Sequence, residues 1–113
     1  MTRTVIANLE RMLGSPRDGA LLRYSLGAEY LKAGEVDQAA TYLADAVARE
    51  PTYSAAWKLL GRALTECGRT AQAVAAYEQG IAVATAKGDV QAAREMAVFA
   101  RRLRQKAPGQ GEA

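Results

Sequence analysis

No histidine occurs in this chain of 113 residues, and it has a single cysteine, Cys67. The side chain best suited to move protons near neutral pH is therefore missing, and a general base would have to be a carboxylate, a lysine or the cysteine. One cysteine excludes an internal disulfide framework and fits a reducing compartment. Aromatic residues make up only 6%, prolines number three, and β-branched runs are scarce, so strands are disfavoured and helices are not. No apolar run approaches the roughly 20 residues that a membrane span needs. The opening "MTRTVIANLERMLG" has too short an apolar stretch, with Glu10-Arg11 too early, to read as a secretory signal. A cytoplasmic location is expected. Metal-ligand spacing, a phosphate-binding glycine loop and a nucleophile motif are also missing, so no catalytic residue, cofactor or metal is expected, and the chain reads as no enzyme.

What is present is alanine, leucine and a placed charge. Residues 1–86 carry nine basic and nine acidic side chains, whereas residues 87–113 carry six basic and three acidic, which accounts for the whole net charge of +3. The excess falls at the C-terminal end, on Arg94, Arg101, Arg102, Arg104 and Lys106.

Apolar periodicity divides the chain into six helices. Val5, Ile6, Leu9, Met12 and Leu13 form one apolar stripe, predicting a helix over 2–14 that "GSPRDG" ends. Asp18 is placed to cap a helix running to about Ala33, which Gly34 stops in a left-handed turn. A helix over 36–49 ends before Pro51. Helices over 54–67 and 70–86 follow, separated by Gly68, and the second of these has no proline to stop it short of Lys87. Gly88 and Asp89 give a stop and a cap before a last helix over 89–107. Its apolar arc is Ala92, Ala93, Met96, Phe99, Ala100, Leu103 and Ala107, opposite Arg94, Arg101, Arg102 and Gln105. The tail, 108–113, reads as disordered.

The middle of the chain repeats. Residues 20–53 and 54–87 share six identities at one offset of 34: Leu26/Leu60, Gly27/Gly61, Gly34/Gly68, Gln38/Gln72, Ala39/Ala73 and Ala48/Ala82. Two of these glycines, Gly27 and Gly61, lie inside helices, where glycine costs about 1 kcal/mol relative to alanine. A period of 34 with two helices per unit marks a solenoid. Within it, Gly27 and Gly61 are expected where each pair crosses most closely, facing Ala39 and Ala73, so that tight packing offsets the lost propensity.

At this point the sequence resembles the tetratricopeptide repeat family, in the form of a small stand-alone bacterial protein. The first unit carries Leu26-Gly27, Tyr30, Ala39, Ala46 and Pro51, and the second carries Trp57, Leu60-Gly61, Ala73 and Tyr77. Arg23, Gly80 and Thr85 depart from the family pattern, standing for an aromatic, an alanine and a proline. The resemblance implies an all-α superhelix of two helical hairpins, residues 20–53 and 54–87, in a single domain 1–113. Shifted back by one unit, the first helix matches the second half of a missing repeat. The last helix has Arg94-Glu95 where a third Leu-Gly would fall, and so serves as a polar-faced cap.

The resemblance also implies activity: a scaffold or adaptor whose concave groove, lined by the first helix of each unit, takes a peptide or helix of a partner protein. Carried over by position, the groove residues are Leu21, Tyr24, Ala28, Leu31 and Lys32 from the first unit. The second unit supplies Ala55, Lys58, Arg62, Thr65 and Glu66. The first set is apolar and the second mostly charged, which points to a ligand with an apolar anchor beside an acidic group. The lysine and asparagines of the carboxylate clamp seen in some relatives are replaced by Tyr24, Ala28 and Leu59, so that clamp is not expected. Two other readings compete. The basic residues of the last helix would meet nucleic acid or another anionic surface, although no aromatic platform accompanies them. Val98, off the apolar arc, would serve self-association, although one exposed valine is ordinary and a monomer is expected.

Overall fold

Gly34 and Gly68 hold φ at 79° and 77°, a backbone conformation that side chains with a Cβ resist, and each brings its hairpin round. The computed structural model describes residues 2–112, with side chains from Arg3 to Lys106. It contains α1 (Thr2–Glu10), α2 (Ala20–Lys32), α3 (Val36–Arg49), α4 (Ser54–Glu66), α5 (Thr70–Lys87) and α6 (Val90–Glu112), with no strand among the described residues. Each helix packs mainly on its neighbours in sequence, α2 on α3, α3 on α4, α4 on α5 and α5 on α6, as a short solenoid must.

Three local expectations are corrected. The first helix ends at Glu10 and not at residue 14, because the amides of Met12 and Leu13 turn to the carbonyls of Leu9 and Glu10, three residues back, and tighten the chain into turns. Asp18 does not cap α2, whose N-cap position is Gly19 with no side-chain bond. Its carboxylate instead accepts the Gly14 amide at 2.9 Å and the Arg23 guanidinium at 2.8 and 3.0 Å. The backbone is also helical over 108–112, as the end of α6, where a disordered tail is expected; Ala113 lies outside the described residues.

The core runs the length of the stack. Leu26, Leu43 and Met96 are its largest fully buried side chains, with Ala39, Ala46, Ala56, Ala63, Ala73 and Ala100 sealed between helices. The two repeated glycines face the partner helix, and the side chains nearest to them are those of Leu43 and Tyr77. A Cβ on Gly27 would lie 2.8 Å from Leu43 Cδ2, and one on Gly61 would lie 2.6 Å from Tyr77 Cζ. The missing side chain makes a socket for a large residue of the second helix. Gly80 does the same between α5 and α6, where a Cβ would meet Met96 and come within 3.0 Å of Trp57 Cβ. In all three pairs the filling residue lies sixteen positions further along the chain, so the α5–α6 pair repeats the geometry of the two hairpins.

Polar contacts fix the ends and corners. Arg23, where the family carries an aromatic, is half-buried and pairs with both Asp18 and Asp45. Tyr30 stacks on Tyr42 with ring centroids 5.5 Å apart, and both hydroxyls donate to Glu10 Oε2, Tyr30 at 2.5 Å and Tyr42 at 3.3 Å. The two rings thereby hold α1 against α2 and α3. Between the repeats, Trp57 Nε1 donates to the Pro51 carbonyl at 2.7 Å. Asp89 accepts the Ala92 amide at 3.1 Å and starts α6 as expected.

Candidate functional site

Helix α6 is anchored on α5 by Met96 and Ala100, both fully buried, with Phe99 and Leu103 partly buried beside them. Lys58 of α4 forms an ion pair with Glu95 of α6. About two turns further on, Thr65 of α4 shares a wall with Arg102 of α6. The two helices therefore run in the same direction, spaced by α5 behind them, and leave a trough between them.

The first part of the trough encloses about 680 Å³ and is lined by Tyr24, Ala55, Lys58, Leu59, Arg62, Thr65, Glu66, Tyr77 and Phe99. A second part of about 390 Å³ continues from Thr65, Tyr77 and Phe99 to Arg102, Leu103, Gln105 and Lys106. Volumes of this size fall in the range of about 300–1,000 Å³ in which proteins hold ligands. The floor is apolar: Tyr77 is buried and tilts against Phe99 at a centroid distance of 5.5 Å. Burial pushes the Tyr77 hydroxyl above its ordinary pKa, so the floor carries no charge near neutral pH. Tyr24 leans on Tyr53 at 5.0 Å and closes the end nearest α2.

The walls are charged, but much of that charge is already satisfied. The Lys58 ammonium hydrogen-bonds Glu95 and holds its carboxyl below the usual range. Arg62 Nε donates to Glu66 one turn along α4 at 3.0 Å. At the far end Arg102 and Lys106 are exposed and make no ion pair among the described residues.

Of the ten groove positions read from the sequence, Tyr24, Ala55, Lys58, Arg62, Thr65 and Glu66 lie together on this trough. The other four do not. Leu31 is buried in the core, Ala28 is half-buried outside the trough, and Lys32 is exposed and paired with Glu29 at 3.1 Å. Leu21 is 69% exposed and borders a separate depression with Arg49, Glu50 and Tyr53. The second unit thus supplies its full set, whereas the first supplies only Tyr24. Sequence reading missed the floor, Leu59, Tyr77 and Phe99, and the basic end. Phe99, the one phenylalanine of the chain and placed on the apolar arc of α6, was the available signal.

The five basic residues of α6 do not form one patch. At about 100° per residue, Arg94, Arg101 and Arg104 share one side, and Arg102 and Lys106 the trough side. Arg104 is further engaged by Glu78 of α5. Cys67 is half-buried, and its thiol is pushed up by burial and then by Asp37, which disfavours the thiolate. Among the described residues no group of three or more His, Cys, Asp or Glu is placed to hold a metal, and no helix is long and apolar enough to cross a membrane.

The family described as tetratricopeptide repeat matches residues 30–97. A repeat-containing protein of this kind from Pseudomonas aeruginosa is 50% identical over 99 residues, covering 88% of this chain and 94% of its own length. Among solved structures, a Bordetella parapertussis protein determined in solution is 39% identical, with a TM-score of 0.79 over 96% of this chain and 94% of that one. The tetratricopeptide domain of Sgt2 from Aspergillus fumigatus superposes with a TM-score of 0.81 over 99% of this chain and 73% of that one, at 23% identity, a likeness of fold alone.

Proposed function

Because the chain belongs to the tetratricopeptide repeat family, whose fold is in general a protein–protein interaction module, we propose that it is a non-enzymatic adaptor holding a segment of a partner protein in the trough between α4 and α6. The observation that carries this reading is the trough itself, an apolar floor in which Leu59 and Phe99 stay partly exposed over the buried Tyr77 ring, between two charged walls. Such a surface loses free energy when an apolar side chain of a partner displaces water from it, by about 25 cal/mol per Å² of apolar area removed from water. The width between two helices two positions apart in the stack suits one extended strand or one helix of a partner. In this reading the protein acts as a cytoplasmic monomer, and its ligand is protein and not nucleic acid.

Peptides selected from a random display library against the folded protein test it, with backbone amide shifts as the readout. Shifts concentrated on α4 and on α6 around Phe99 support the reading. Ligands that perturb only the outer surface of α3 or α5 overturn it.

A further inference from the structure

The two halves of the trough differ in how their charge is balanced. Near α2, the cations Lys58 and Arg62 each have a carboxylate of the same protein against them, Glu95 and Glu66. Beyond Phe99, Arg102 and Lys106 line the trough with no carboxylate within ion-pair reach among the described residues. They stand one and two turns along α6 from Phe99, about 5 and 10 Å. An apolar floor therefore runs into an unbalanced positive end, at fixed helical spacing.

We propose that the partner segment is acidic and amphipathic: an apolar side chain seats on Phe99 and Tyr77, and carboxylates one to two turns away meet Arg102 and Lys106. This rests on the trough reading above and goes beyond it by naming the chemistry of the occupant. It also moves the cations that matter. The sequence pattern points to the second-unit residues Lys58 and Arg62, and in the fold these are neutralised internally. The selecting cations come from the last helix, outside both repeats. A neutral segment gains only from the floor. A basic segment gains there but is repelled at the far end, so charge sets the choice of partner more than the strength of binding.

Two synthetic peptides and two protein variants decide it. One fluorescein-labelled amphipathic peptide carries leucine and phenylalanine on one face and glutamates one turn on, and its twin has glutamine for every glutamate. The acidic peptide is expected to bind with affinity that falls as NaCl rises. The twin should bind about fivefold more weakly for each carboxylate–cation pair it cannot form, the upper end for exposed ion pairs. Arg102→Glu with Lys106→Glu should remove that advantage and leave the twin unaffected. Arg101→Glu, on the outer side of α6, should change neither. If the twin binds as tightly as the acidic peptide and moves the same amides around Phe99, the acidic preference falls and the trough reading stands. If Arg101→Glu abolishes binding while Arg102→Glu with Lys106→Glu does not, both fall. Retention of a short single-stranded DNA by the same cations, with both peptides silent, also overturns the proposal.

Discussion

Gly61 and Tyr77 fit as socket and plug: the ring of Tyr77 occupies the space that a methyl group on Gly61 would take, within 2.6 Å of Cζ. An alanine here gains about 1 kcal/mol of helix propensity but forces a buried ring aside, at about 1–3 kcal/mol. Gly61→Ala is therefore expected to destabilise by up to about 2 kcal/mol, at roughly 3–6 °C in Tm for each kcal/mol. Gly27→Ala should cost less, because Leu43 can change rotamer where the tyrosine ring cannot. Urea unfolding checks both, and a stabilised Gly61→Ala variant would show that the glycine faces water.

The Arg23 guanidinium and the Gly14 amide together hold the Asp18 carboxyl down at about 2, against 3.8 ordinarily. A carboxyl with a lowered folded pKa contributes stability that is whole above the unfolded pKa and is lost as pH falls through the folded one. The Asp18 contribution is therefore complete above about pH 4 and disappears between pH 4 and 2. Asp18→Asn should lower the urea midpoint at pH 5–7, and its curve should converge with that of the parent near pH 2. Parallel curves across this window would refute the pairing.

Helix α1 is tied down by the two tyrosine hydroxyls on Glu10. Tyr30→Phe removes the shorter bond and should cost about 1 kcal/mol, chiefly as faster amide exchange in α1, with α4 to α6 unchanged. The hydrogen bond to Glu10 raises the Tyr30 pKa to about 12. A raised folded pKa gives stability that is present below pH 10 and lost as pH climbs toward 12. Tyrosinate absorbance should accordingly lose one late-titrating tyrosine in Tyr30→Phe, while Tyr53 and Tyr77, raised by burial, still titrate late.

Gly80 sets the seat of α6. Gly80→Ala presses on Met96, which can flex, and on Trp57 Cβ, which belongs to a neighbouring helix and cannot move alone. A loss of about 1 kcal/mol is expected, with altered Trp57 fluorescence and weaker peptide binding in the trough. Unchanged binding would mean that α6 does not form its second wall.

The helices and the repeat were legible because their signals are local: glycine stops, an apolar period, and one offset of 34 that aligns Leu26-Gly27 with Leu60-Gly61. The role of Asp18 was not, because a capping residue and an ion-pair partner look alike until packing brings Arg23 round to it. Which side chain fills the space beside each glycine was hidden for a similar reason: Ala39 and Leu43 lie on the same face of α3, and only the relative rotation of the helices brings Leu43 against Gly27. Half of the site lay on α6, whose Arg94-Glu95 breaks the repeat and so removes the alignment that located the groove elsewhere. The spacing of sixteen that links Gly27 to Leu43 and Gly61 to Tyr77 does extend to Gly80 and Met96, and it marks α6 as packed in the same manner.

One wall of the trough is also the last rod of the stack. Because each helix rests mainly on its neighbours in sequence, α6 can peel away while α1 to α4 stay in place. A ligand wedged between α4 and α6 would then act as a clasp on the loose end. Its residence time would follow the rate at which that end lifts, and occupancy would register as slowed exchange in α6 long before it touched the melting of the rest.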